Sequence, residues 1–234
     1  MLEIEREKLK KQIEVLEGEI PEKQYNRILM CVNDEIMKQE GEISKKFSCN
    51  SRYCPICSNK LKVKEQRKMR KKLEEAEEKN YLIMTLNGNN VTENNLKYEI
   101  EDNNKAFTSL MRLGLFKNIV TGYIKAVEIT YIKEKATYLP HLHIILLVKN
   151  SYRKYIQLNT DKERIKKQWN KHKKSHDLFM DIQSVRDIEK VMGYLTVSQK
   201  KRYTEIGQEE TKGIIRSIRN KKRLYSYGGI LSKK

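Results

Sequence analysis

The chain has 234 residues, which suits one large domain or a domain with a small satellite. Lys and Arg number 49 against 31 Asp and Glu, a net charge of +18 that points to a polyanionic partner, because each neutralised phosphate releases a condensed counterion. No run of about 18 apolar residues occurs, so no membrane span is expected, and the charged start Met1-Leu2-Glu3-Ile4-Glu5-Arg6 is not a signal peptide. A cytoplasmic, reducing location follows, where the 4 Cys serve as thiols or metal ligands rather than disulfides.

In chain order, Leu9, Ile13, Leu16 and Ile20 recur at helical spacing and predict a helix over Leu2 to Ile20, ended by Gly18 and Pro21. A second helix is expected from about Pro21 to Gln39. The cysteine region follows, then a charged helix over Lys60 to Glu78. Tyr81 to Leu86 reads as a strand ended by Asn87-Gly88-Asn89-Asn90. Helical periodicity returns over Asn95 to Leu115. Thr121 to Ile132 and Tyr138 to Val148 are the strands of an antiparallel hairpin. A helix over Asp161 to Lys174 carries the only tryptophan, Trp169, and Phe179 to Ile182 is a short strand. Ser184 and Asp187 resemble a capping box that starts a helix through Tyr194. A helix over Glu209 to Asn220 and an edge strand over Arg223 to Ile230 close the chain.

Two of the 4 histidines, His141 and His143, stand two residues apart on an apolar strand. Alternate residues of a strand share a face, so both imidazoles can meet one ion, while Leu142 and Ile144 enter the core. A turn centred between Lys135 and Ala136 sets Glu128 opposite His143 and Thr130 opposite His141; a shift of register by two keeps Glu128 on the same face. Two histidines and a carboxylate suit Mg²⁺ or Mn²⁺.

Cys54-Pro55-Ile56-Cys57 has the spacing of a zinc-site corner, with Cys49 and Cys31 upstream. Four thiolates suit a structural, tetrahedral Zn²⁺. Cys31 fits least well, because it lies within a helical pattern.

A metal-bound phosphate needs a nucleophile, and tyrosine suits a reaction whose product is held covalently. Tyr194 stands out among the 13 tyrosines by its context: Lys190 one turn before it, and Lys200, Lys201 and Arg202 after it. Such cations hold a phosphate and favour the phenolate. Tyr203 is the second candidate, and a core tyrosine beside Val191 and Leu195 is the plain alternative.

Together these segments resemble the replication initiator proteins of small rolling-circle plasmids, within the HUH endonuclease superfamily. The similar stretches are Cys49 to Cys57, Leu82 to Asn87, Gly122 to Tyr131, Pro140 to Leu146, Lys190 to Tyr194 and Arg223 to Gly229. The resemblance implies an α+β fold: a ferredoxin-like antiparallel sheet with helices on one face, in a nicking domain over residues 79–234. A helical, zinc-binding segment would cover residues 1–78. It also implies metal-dependent nicking of one strand at the plasmid's double-strand origin, with Tyr194 linked to the 5′ phosphate. DNA is then the partner, together with a host helicase and polymerase. His141, His143 and Glu128 would be metal ligands. Some members of the family carry a glutamate four residues before the tyrosine; here that position is Lys190, with Glu189 beside it. A lysine usual three residues after the tyrosine is Val197 here. An HUH transposase or mobilisation relaxase fits the same metal chemistry. A non-catalytic, zinc-bearing DNA-binding protein is the alternative from another class.

Overall fold

Five antiparallel strands form one sheet in the order β4-β1-β3-β2-β5. Their bounds are β1 Asn80–Asn87, β2 Val120–Ile132, β3 Thr137–Val148, β4 Met180–Val185 and β5 Tyr225–Gly229. The helices are α1 Leu2–Glu14, α2 Glu22–Gln39, α3 Pro55–Glu75, α4 Glu93–Met111, α5 Gly114–Lys117, α6 Leu158–Lys173, α7 Ile188–Val197 and α8 Gln208–Ile218. The structure is a computed structural model that describes residues 2–39, 47–154, 156–197, 208–219 and 224–232, with the backbone alone over 2–6, 8, 39, 153, 159–160, 194–197 and 208. The chain divides into two compact units, residues 1–68 with 202–219, and residues 69–201 with 220–234.

In the second unit the strands bury both faces. Leu82, Met84, Leu86, Leu142, Ile144 and Leu146 face α4 and α6, where they meet Phe107, Ile165 and Trp169. Tyr81, Ile124, Ala126, Ile145 and Leu147 face the other way, against Met69 and Leu73 of α3 and Val191 and Met192 of α7. The expectation of helices on one face is thereby corrected. Its physical basis is legible in β3: Leu142 and Ile144 to Val148 are all fully buried, and such an unbroken apolar run needs cover on both sides. Burying each of these side chains contributes about 1.5–3 kcal/mol.

The β2–β3 connection is a 3₁₀ turn, Lys133–Lys135, closed by Ala136 in the left-handed region at φ 49°. This four-residue loop is centred one residue earlier than the sequence implies. Glu128 therefore pairs with His141, Thr130 with Leu139 and Ala126 with His143. The register expected from the sequence is corrected by two residues, and Glu128 stays on the histidine face.

Other boundaries shift for local reasons. The first helix ends at Glu14 rather than Ile20, and turns lead to Gly18, whose φ is +71°. Helix α3 begins at Pro55 rather than Lys60, because proline is preorganised for a first helical position. Ser184 is no helix cap: it lies in β4, and its hydroxyl is 2.7 Å from Tyr152 Oη. Asp187 caps α7 instead, its Oδ1 accepting the Glu189 N–H at 2.8 Å.

In the first unit, Ile13, Leu16, Ile20, Ile28, Val32 and Ile215 form a core around the four cysteines. Arg216 of α8 clasps Glu19 through Nε at 2.7 Å and Nη2 at 2.5 Å.

Candidate metal centres

Glu128 on β2 and His141 and His143 on β3 converge on one sheet face, each offering a ligand atom within 4.8 Å of the others. Glu128 Oε2 lies 2.8 Å from His143 Nε2 and 3.4 Å from His141 Nε2. That buried oxygen nonetheless accepts no hydrogen bond of acceptable geometry. Three donor atoms gathered this closely, a carboxylate oxygen and two imidazole nitrogens, fit a shared cation. His141 Nδ1 stands 3.2 Å from Leu139 O, and an N–H donated there turns the Nε2 lone pair toward the cluster. Burial pushes the Glu128 carboxyl up, but the imidazoles of His141 and His143 outweigh it and hold it at about 2. The carboxylate is thus charged at any physiological pH.

The strand before the histidines is anchored from behind. Gly88 N–H and Asn103 Nδ2 both donate to Pro140 O, at 2.8 and 3.2 Å. A side chain at residue 88 would place its Cβ 2.5 Å from Asn103 Nδ2, so Asn103 and Glu99 would have to move to admit it. Lys173, with a fully buried side chain, joins Glu99 at 2.8 Å and Asp102, tying α6 to α4 below the same loop.

The sheet order brings further polar groups onto this face that the sequence reading missed. Thr85 pairs with His143, Asn87 with His141, and Asp181 with Thr85. Lys162 Nζ lies 2.6 Å from Asp181 Oδ1. Strand alternation suggests their parity, but only the order of strands reveals their nearness.

Helix α7 packs on the same face through Val191 and Met192. Tyr194 belongs to this helix, and its side chain lies outside the described residues, as do Lys200, Lys201, Arg202 and Tyr203 altogether. Glu189 and Lys190 are exposed on its first turn. Glu189 accepts both Arg70 Nη1 at 2.5 Å and Arg70 Nη2 at 2.8 Å, which lowers its carboxyl from the ordinary range.

The second cluster is Cys31, Cys49, Cys54 and Cys57, all buried and with sulfurs within 4.8 Å of one another. Cys57 Sγ is 3.5 Å from Cys31 Sγ and 3.6 Å from Cys49 Sγ. Tetrahedral bonds of about 2.3 Å to a zinc ion imply sulfur separations of about 3.7 Å. The Cys57 N–H donates to Cys54 Sγ at 3.4 Å, a bond that stabilises a thiolate. Burial pushes the Cys54 and Cys49 thiols up, Cys49 to about 11. Burial also opposes ionisation of Cys57, but hydrogen bonds led by Ser48 bring it down to about 6. One thiolate forms readily, and four require a cation at their centre. Cys31, placed within α2, reaches the cluster from the helix.

With both centres in place, comparison with known proteins is decisive. The model of the family described as "Replication protein" matches residues 40–234. The chain belongs to this family. The chain is 30% identical over 130 residues to "Protein rep" of Staphylococcus aureus, covering 54% of this chain and 56% of that one. It is 26% identical over 208 residues to "Protein rep" of Streptococcus pneumoniae, covering 83% and 65%. A third relative, "Protein rep" of Lentilactobacillus hilgardii, is 27% identical over 177 residues, covering 72% and 54%. The chain thus spans roughly half to two thirds of the length of these curated relatives. No solved structure matches it. None of its helices among the described residues is long and apolar enough to cross a membrane.

Proposed function

We propose that this chain is a plasmid replication initiator that nicks one DNA strand at a rolling-circle origin and holds the 5′ phosphate on Tyr194. The observation that carries this reading is the convergence of Glu128, His141 and His143 on the sheet face that α7 covers. The element order β1-α4-β2-β3-α6-β4, with strands arranged β4-β1-β3-β2, supports a ferredoxin-like HUH core over residues 79–234. The cysteine segment within residues 1–78 would be held by Zn²⁺, which four buried thiols suit.

A Mg²⁺ or Mn²⁺ ion held by Glu128, His141 and His143 would polarise the scissile phosphate and offset its developing charge. The Tyr194 hydroxyl loses its proton to water, its oxygen attacks phosphorus to form the phosphotyrosine bond, and the bond to the 3′ oxygen breaks, that oxygen taking a proton from water to become a hydroxyl. Lys190, exposed on the first turn of α7, supplies a cation for the phosphate. Glu189 steadies that turn through Arg70 and takes up no proton there. A host polymerase then extends the 3′ hydroxyl while a host helicase opens the duplex.

The test is a supercoiled plasmid carrying the cognate origin, incubated with the protein and Mn²⁺. The reading expects a nicked circle and a covalent protein–DNA adduct, with the adduct lost in Tyr194→Phe. An absence of nicking, or an adduct that survives Tyr194→Phe, contradicts it.

A further inference from the structure

Phe179 is 58% exposed, although the residues flanking it, Leu178 and Met180, are buried in the core under α4 and α6. Strand alternation therefore turns its ring to the opposite side, the metal face. Its place in the sheet is fixed by the bond from Asn87 N–H to Phe179 O at 3.0 Å. Asn87 pairs with His141, and His141 with Glu128. Glu128, His141 and Asn87 thus form one row across β2, β3 and β1, which Phe179, the residue just before β4, extends, and Phe179 stands about two strand spacings, roughly 10 Å, from His141. Tyr98, exposed to 69%, stands on α4 and away from this face.

An exposed aromatic ring on a soluble sheet face gains nothing from water. Beside a phosphate-binding centre it offers a surface on which a base can stack, and such stacking tolerates any base because every base has a π-face. The charges around it suit a polyanion. Asp181, two residues on and on the same face, is neutralised by Lys162 at 2.6 Å. Lys171 and Lys174, exposed at the end of α6, lead into the segment that carries Phe179.

We propose that Phe179 is a stacking platform for an unpaired base of single-stranded DNA held at the Glu128–His141–His143 centre. It is a substrate-binding residue that fixes the strand's path across the sheet toward β4. The proposal rests on reading that centre as a DNA-nicking site.

The probe is a fluorescein-labelled oligo-dT of about twelve nucleotides, within the site sizes of single-strand binders. Its affinity for the full chain is read by anisotropy, at low salt, with and without Mn²⁺. Phe179→Ala and Phe179→Leu should each weaken binding by about five- to a hundredfold, the range for loss of one stacked base. Phe179→Trp should retain affinity, and its indole fluorescence should be quenched on adding the oligonucleotide. The leucine variant separates stacking from mere apolar contact, and the exposed position leaves the fold intact in all three. Wild-type binding that is unchanged in both Phe179→Ala and Phe179→Leu overturns the platform and leaves the nicking reading standing. A wild-type chain that binds no single strand yet nicks the cognate origin plasmid overturns the platform alone, and one that does neither overturns both.

Discussion

Glu128 Oε2 lies 2.8 Å from His143 Nε2, although the residue directly opposite Glu128 on the sheet is His141. The carboxylate reaches diagonally along β3, so both imidazoles meet one oxygen. A neutral side chain there loses the charge that balances a cation, and a shorter one loses the reach.

That charge has a consequence for acid stability in the metal-free chain. The Glu128 carboxyl titrates at about 2 when folded, against an ordinary 4.5. A depressed carboxyl contributes stability that is fully present above about pH 4.5 and is lost as pH falls through about 2. Wild type should exceed Glu128→Gln by up to ~3 kcal/mol at pH 5 in EDTA. Urea unfolding at pH 5, 4 and 3 should show that gap narrowing; a gap constant with pH refutes the assignment.

The cysteine cluster should be structural. Cys54→Ser removes a fully buried sulfur that accepts the Cys57 N–H. Zinc per chain, by elemental analysis, should fall from about one to well below half. The first unit should then unfold at a lower temperature than the sheet. Full zinc retention would exclude Cys54 as a ligand.

Lys173 gives a test that touches neither set of candidate ligands. Its buried ammonium pairs with Glu99 and Asp102, and Glu99 also accepts the Asn89 N–H at 2.7 Å. Lys173→Met should cost about 3–5 kcal/mol, because it leaves Glu99 charged and poorly solvated. The double variant Lys173→Met/Glu99→Gln should recover part of that loss in urea titrations. A single variant as stable as wild type would show that the pair contributes nothing.

Much of the site was legible because its residues lie close in sequence or share a strand. His141 and His143 follow from alternation, and Glu128 follows from the hairpin. Cys54 and Cys57 follow from spacing, and Cys31 and Cys49 from the count. The exact hairpin register was not legible, because it depends on Ala136 adopting a left-handed conformation that no glycine or asparagine announces. Thr85, Asn87, Asp181 and Phe179 were also missed. They reach the site only through the order β4-β1-β3, which no local pattern encodes. The second layer of helices was readable in principle from the unbroken apolar run of β3. The resemblance implied one covered face instead.

The most direct test of the account is Mn²⁺ binding at the Glu128–His141–His143 centre, measured by electron paramagnetic resonance on protein already loaded with zinc. Wild type should bind one equivalent of Mn²⁺ and His143→Ala none at the same concentration, with zinc content and melting of the first unit unchanged. Equal Mn²⁺ binding by wild type and His143→Ala would contradict the metal centre on which the proposed nicking chemistry depends.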